Sequence, residues 1–352
     1  MRHFQFLLFL AVVIAGPIFA DETPAPTGDS IVPQGAKLEL LFTRSANIKG
    51  GLTEGPNAAP DGRIFFSDIP FGADKGLIMC FDPKNKETTI FQKDSGKSNG
   101  LKFDAQGRLV ACEGSDFGGR RVSRYDIKTG ERETVVDRIG GKRFNACNDL
   151  VIDRKGRIYF SDPRYLGDEP RELEHRAVYR INEDRSVVEV THNVEKPNGV
   201  ALSPDEKTLY VVDHNNGTDK IDDTAPPPKK GAMRLYAFPL GADGLVSGER
   251  RTLIDLGEEN GFDGLAVDRD GNLYLAQRSL KRPGVLVTDP NGKEIAFIPT
   301  GPSQPGAKQP KGIPSNCCFG AGEEKSTLYV TIDVSLYRIA LKVPGHKAPW
   351  EK

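Results

Sequence analysis

Charge of one sign is what this 352-residue chain lacks most plainly: 48 Lys and Arg face 49 Asp and Glu, a formal net charge of -1 at pH 7. That balance offers no electrostatic footprint for nucleic acid or for an anionic membrane, and neither is expected as a partner. Cysteine is scarce as well. Cys80, Cys112, Cys147, Cys317 and Cys318 are too few for a secreted disulfide scaffold and contain no Cys-x-x-Cys pair of the kind that holds zinc. Their odd number leaves at least one thiol unpaired, and the expectation is small buried side chains with room for one disulfide. Long amphipathic helical patterns are missing, which argues against a doubly wound α/β domain. So are a Gly-x-Ser-x-Gly elbow, a His-Glu-x-x-His motif and a phosphate-binding glycine loop.

Beyond the first residues no apolar run is long enough to span a bilayer. Met1-Arg2-His3 is a short basic start, Phe4 to Ile14 an apolar core, Gly16-Pro17 a break, and Ala20 before Asp21-Glu22 a cleavage point. This is the layout of an export signal, and its apolar run is too short for a comfortable anchor. The expectation is loss of residues 1–20, a flexible lead-in over 21–35, one domain over 36–345, and a mature protein in the periplasm or outside the cell, free of the membrane.

What the chain has in quantity is glycine (38) and proline (25), the punctuation of many short strands. One unit recurs. Asn148-Asp149 precedes LVIDRKGRIYFSD, an apolar run, a turn with glycine, and a second run rich in β-branched and aromatic residues: a β-hairpin. Similar hairpins follow Glu54-Gly55, Asn99-Gly100, Asn198-Gly199, Asp263-Gly264 and Asn316. The steps between these polar residues are 45, 49, 50, 65 and 53, the period of a propeller with one four-stranded blade per repeat. The long step contains a polar, proline-rich insertion, 215–232. The last unit ends at Ser335 to Ala340 with little chain left, so the first strand, Lys37 to Phe42, is expected to complete it. The fold expected is all-β, a six-bladed β-propeller closed by its N-terminal strand.

In such a fold the first strand of each blade lines the central channel. Glu54, Asn99, Asn148, Asn198, Asp263 and Asn316 would then form one level around the axis, every one a carboxylate or carboxamide. Six such side chains cannot make a dry core. Asn and Asp before Gly are also ordinary turn residues that bond backbone, so a purely structural role stands as the other reading. Glu54 speaks against it, since the turn has no local need of Glu. Two carboxylates with carboxamide oxygens are what one hard divalent cation takes, calcium first and zinc or manganese otherwise; no Cys or His lies in the ring. His214, at the end of a strand beside the insertion, is placed to face the channel mouth.

The order Glu-Gly-Pro at Glu54, Asn-Asp before DxxGRxYFSD at Asn148, Pro-Asn-Gly at Asn198 and Asp-Gly at Asp263 resembles the SMP-30/gluconolactonase/luciferin-regenerating family, from about residue 36 to about 340. The resemblance implies a six-bladed propeller, a divalent cation held by Glu54, Asn198 and Asp263, Asn148 touching substrate near the metal, and Asp263 as general base. The family's Arg-Phe-Asn-Asp motif appears here as Ala146-Cys147-Asn148-Asp149, so its substrate-binding arginine is absent there, with Arg143 and Arg164 as nearby candidates.

A cation on the axis polarises a lactone carbonyl and activates water, and Asp263 takes the proton. Asn99, Asn148, Asn316 and His214 are the residues assigned to the substrate. The leading expectation is an exported lactonase acting on a sugar lactone such as gluconolactone. The alternatives are a paraoxonase- or arylesterase-like hydrolase of larger lactones or esters, and a propeller that binds a ligand without chemistry. Loops 215–232 and 300–314 are the expected walls of the pocket.

Overall fold

A computed structural model describes residues 23–44, 51–218 and 229–351. The expected export signal and the middle of the 215–232 insertion lie outside the described residues. Six four-stranded antiparallel sheets follow one another along the chain as six blades. Their inner strands are Leu52–Ala58, Ser98–Phe103, Leu150–Ile152, Pro197–Leu202, Phe262–Val267 and Pro314–Phe319, and neighbouring inner strands pack side by side around the axis. The sixth sheet takes its outer strand from the start of the chain: Glu39–Thr43 pairs antiparallel with Ser335–Ala340. Closure by the N-terminal strand is therefore as the sequence implied.

The second strand of each blade shows why the chain folds this way. Ile158–Asp162 and Leu109–Glu113 are buried along their whole length, because both faces of a blade are covered by its neighbours. Alternation then sends successive side chains to different cores. Phe65 packs toward blade two and Phe66 toward blade six; Tyr159 packs toward blade four and Phe160 toward blade two. The buried apolar residues fall into six clusters, one for each pair of adjacent blades. Aromatic rings set the spacing, as where Phe144 meets Phe160 edge-on with centroids 5.0 Å apart. All five cysteines are buried free thiols within these layers, and no disulfide forms.

Two terminal segments are used differently from the expectation. The lead-in is not loose over its described part. Thr27 bridges to Phe297, and Ile31 and Val32 are buried in the core between blades five and six, beside Ala296 and Ile298 of blade five's outer strand. At the other end, the chain after the last strand crosses the base of the channel. Gly345 bridges Asp268, the His346 N–H donates to Val267 O at 3.0 Å, and Trp350 packs against the cores on either side of blade one.

Arg44 directly follows the closing strand and reaches Asp68 in blade one, with Nε donating to Oδ2 at 2.9 Å and both side chains almost wholly buried. This pair ties the seam of the ring from its second side. Arg44→Met strands the Asp68 carboxylate and should cost about 3–5 kcal/mol in urea unfolding, with much of it recovered in Arg44→Met/Asp68→Leu. An unchanged urea midpoint for the single variant would refute the role.

Candidate functional site

One local design places the ring residues. The inner strands carry a register shift where the ring residue sits, between Glu54 and Asn57, Ser98 and Leu101, Pro197 and Val200, Phe262 and Leu265, and Pro314 and Asn316. A bulge at that point turns a side chain that would otherwise face a neighbouring blade toward the axis. The glycine that follows lets adjacent strands meet: a Cβ on Gly55 would lie 2.1 Å from Asn99 O, and one on Gly199 2.5 Å from Asp263 O. In blades three, four and six the segment leading into the inner strand is held by a carboxylate at or next to the end of the second strand. Asp162 accepts the N–H groups of Asn145 and Ala146, Asp213 those of Glu195 and Lys196, and Asp333 those of Gly312 and Ile313.

These anchors fix which residues are equivalent, and they displace one ring member. Counting three residues on from the first N–H that each anchor accepts, that of Asn145, Glu195 and Gly312, the partner of Asn148 and Asn198 in blade six is Ser315, not Asn316. The Ser315 hydroxyl donates to Thr53 O at 2.6 Å and so joins blades six and one. Asn316 lies one residue deeper, level with Asp149. Both turn their Oδ1 back on the next backbone N–H, at 2.8 Å to Cys317 and 2.9 Å to Leu150.

The other five ring residues, with His214, line a single cavity of about 260 Å³ at the opposite end of the channel from the C-terminal tail. Asn316 does not line it. Glu54 is buried and accepts one backbone hydrogen bond, from Gly55 at 3.0 Å. Burial, and then the neighbouring Asp263 charge, push its pKa well above the ordinary carboxylate value. Asp263 is paired: its Oδ2 accepts from Arg278 Nη1 at 2.8 Å. The Asn99 Oδ1 is buried with no hydrogen-bond partner. His214 Nδ1 lies 2.6 Å from Phe262 O. A carbonyl only accepts, so Nδ1 carries the proton and Nε2 keeps a free lone pair. Burial lowers the pKa of this imidazole, which is therefore neutral.

Among the described residues no three His, Cys, Asp or Glu are grouped so as to hold an ion by themselves. The donors available are the Glu54 and Asp263 carboxylates with the carboxamides of Asn148, Asn198 and Asn99. A desolvated carboxylate beside a second one and an orphaned amide oxygen fit a hard cation with oxygen ligands.

Several cavity residues were not singled out from the sequence. Arg278 enters because the hairpin register sets Gln277 opposite Phe262, so the next residue lies against Gly261, to whose O its N–H donates at 3.0 Å, and its guanidinium reaches Asp263. Tyr165 donates to His214 O at 3.2 Å, stands edge-on to its imidazole and meets the Asn198 side chain. Lys97 and Lys196 occupy equivalent places, each two residues before a ring asparagine, and that spacing was a signal in plain view. The Lys196 ammonium bonds Asn216 and Thr218 at the root of the insertion, so these flanks of 215–232 do line the cavity. Loop 300–314 does not. Neither Arg143 nor Arg164 reaches the cavity; their guanidinium groups hold loop carbonyls, Gly119 for one and Gly167 and Glu169 for the other.

The model of the SMP-30/gluconolactonase/LRE-like region matches residues 52–333. The chain belongs to that family. A gluconolactonase of Zymomonas mobilis is 29% identical over 341 residues, 91% of this chain and 86% of its own. Lactonase drp35 of Staphylococcus epidermidis is 30% identical over 256 residues, 71% of this chain and 70% of its own. The solved structure of a Xanthomonas campestris gluconolactonase superposes with a TM-score of 0.71 at 27% identity, covering 94% of this chain and 99% of the other. This SMP-30-like propeller is thus similar over most of its length to proteins named for lactone hydrolysis.

The anchors make a pH prediction. Burial raises the Asp162 pKa to about 6, against the two backbone N–H groups that lower it. Between pH 4 and 6 the native state then binds a proton that the unfolded chain has released, so stability should fall as pH rises through that window and level off above it. The loss should be on the order of 2–3 kcal/mol, read as the difference between wild type and Asp162→Asn in urea unfolding at each pH. Parallel pH profiles for the two proteins would refute it.

Proposed function

We propose that this protein is an exported lactonase that opens a sugar lactone such as gluconolactone with one divalent cation, calcium first and zinc or manganese otherwise. Family membership and the named relatives make it a lactone-hydrolysing enzyme, a carboxylic-ester hydrolase. The observation that carries the finer reading is that the Glu54 and Asp263 carboxylates line one buried cavity with the ring carboxamides, Glu54 having no cationic partner within salt-bridge distance among the described residues. Export rests on the Met1 to Ala20 signal pattern.

Glu54, Asn198, Asp263 and Asn148 would hold the cation, which when bound supplies Lewis-acid polarisation of the lactone carbonyl. The chain's own groups do the rest. Arg278 fixes Oδ2 of Asp263, which leaves Oδ1 to take a proton from the attacking water. The water oxygen bonds to the carbonyl carbon, the ring C–O bond breaks, and the proton held at Asp263 passes to the leaving alkoxide. The product is an open-chain hydroxy acid. The Asn99 Oδ1 accepts from a substrate hydroxyl, and neutral His214 presents Nε2 as a second acceptor. The low-dielectric walls strengthen each of these contacts.

Glu54→Gln and Asp263→Asn should each lower kcat/KM for gluconolactone by about 10²-fold or more in a pH-indicator assay, measured above the spontaneous rate. Calcium should raise the melting temperature of wild type and of neither variant, while metal-free Glu54→Gln should be at least as stable as metal-free wild type, since it removes a buried charge. Normal activity in either variant would sink the mechanism; activity that survives chelator unchanged would sink the cation.

A further inference from the structure

Five large apolar side chains are exposed among the described residues, and three of them sit on loops that line the cavity: Leu166 (45% exposed) lines it, and Phe71 (53%) and Phe117 (68%) directly follow the lining residues Pro70 and Asp116. They are not loose decoration. Their loops are sewn together by one polar network. Asp116 Oδ2 accepts from Gly72 N–H at 3.0 Å and from the buried Lys97 ammonium at 3.2 Å, and Lys97 also donates to Pro70 O at 3.0 Å. Phe117 N–H donates to Glu169 Oε1 at 3.0 Å, and Ser115 Oγ to Leu166 O at 2.5 Å. Phe117 itself has φ of 69°, a left-handed conformation that an aromatic residue rarely adopts. A buried lysine and two carboxylates thus hold the left-handed backbone from which the Phe117 ring projects.

The collar is continuous with the site. Pro70, Asp116 and Leu166 line the cavity, and its wall between blades two and three is Ala146 and Cys147. At about 260 Å³ the cavity falls below the usual range of roughly 300–1,000 Å³ for ligand pockets. It takes a lactone ring, and anything longer leaves through the mouth and meets these three side chains. Building on the lactonase reading, we propose that beside sugar lactones the enzyme takes lactones with an apolar substituent, an alkyl or aryl group that lies on the collar of Phe71, Phe117 and Leu166 while the ring sits among the carboxylates and carboxamides below. The rigidity of the collar lowers the ordering cost of that contact.

The test is a homologous series of γ-lactones with side chains from none to eight carbons, assayed with added calcium beside gluconolactone. For wild type, kcat/KM should rise with chain length, by up to about fourfold per methylene, until the collar is covered. In Phe71→Ser/Phe117→Ser that rise should flatten, with gluconolactone kept within about twofold; the single variants should flatten it part-way and guard against a double variant that does not fold. If wild type opens gluconolactone but shows no dependence on chain length, or if the dependence survives in the double variant, the collar inference falls and the lactonase stands. A wild-type dimer in sedimentation that the double variant lacks would make the patch a contact between copies and also overturn it. If no lactone of either kind is opened, both readings fall.

Discussion

Everything in this molecule depends on blades that are apolar on both faces. A strand such as Ile158–Asp162 cannot be stable at the edge of anything, because each face needs a neighbour. Six blades satisfy that demand only when the sixth meets the first, and the core between them is built in the same way as the others, with Phe66 and Phe81 on one side and Tyr329 and Leu336 on the other. Closure is therefore a condition of stability rather than an ornament, and the closing strand with the Arg44–Asp68 pair is where the ring is sealed.

The same closure creates the polar site. Six inner strands brought side by side leave no room for large side chains where they converge, hence the glycines, and the bulge before each one turns a polar group toward the axis. A carboxylate there is desolvated by the fold itself. Glu54 holds its charge badly because burial takes it out of water and the Asp263 carboxylate stands near it.

The repeat made the fold legible. Hairpins with a polar residue at near-equal steps are a signal of period, and period survives even where individual residues vary. The site was legible as far as that repeat reached. Glu54, Asn99, Asn148, Asn198 and Asp263 stand before hairpins of one pattern and line one cavity. Asn316 was aligned by its amide, whereas the backbone is aligned by Asp333, seventeen residues later in the chain, and that anchor puts Ser315 at the equivalent place. Arg278 and Tyr165 come from the far ends of second strands, where only the pairing register shows what they face. The lead-in looked loose because Ile31 and Val32 are two apolar residues in a polar stretch, too few to show a period, yet two suffice to cover a gap between blades.

The C-terminal tail has a consequence for traffic. The space beneath it shares no lining residue with the cavity above, and the layer of Asp149 and Asn316 lies between the inner strands at mid-depth. The axis is thus two cups set back to back rather than a pipe. For a guest that arrives and departs by the upper rim, the neutral form and the anion it becomes pass the same loops in opposite directions, and the ring of loops that admits the one also governs how quickly the other is let go.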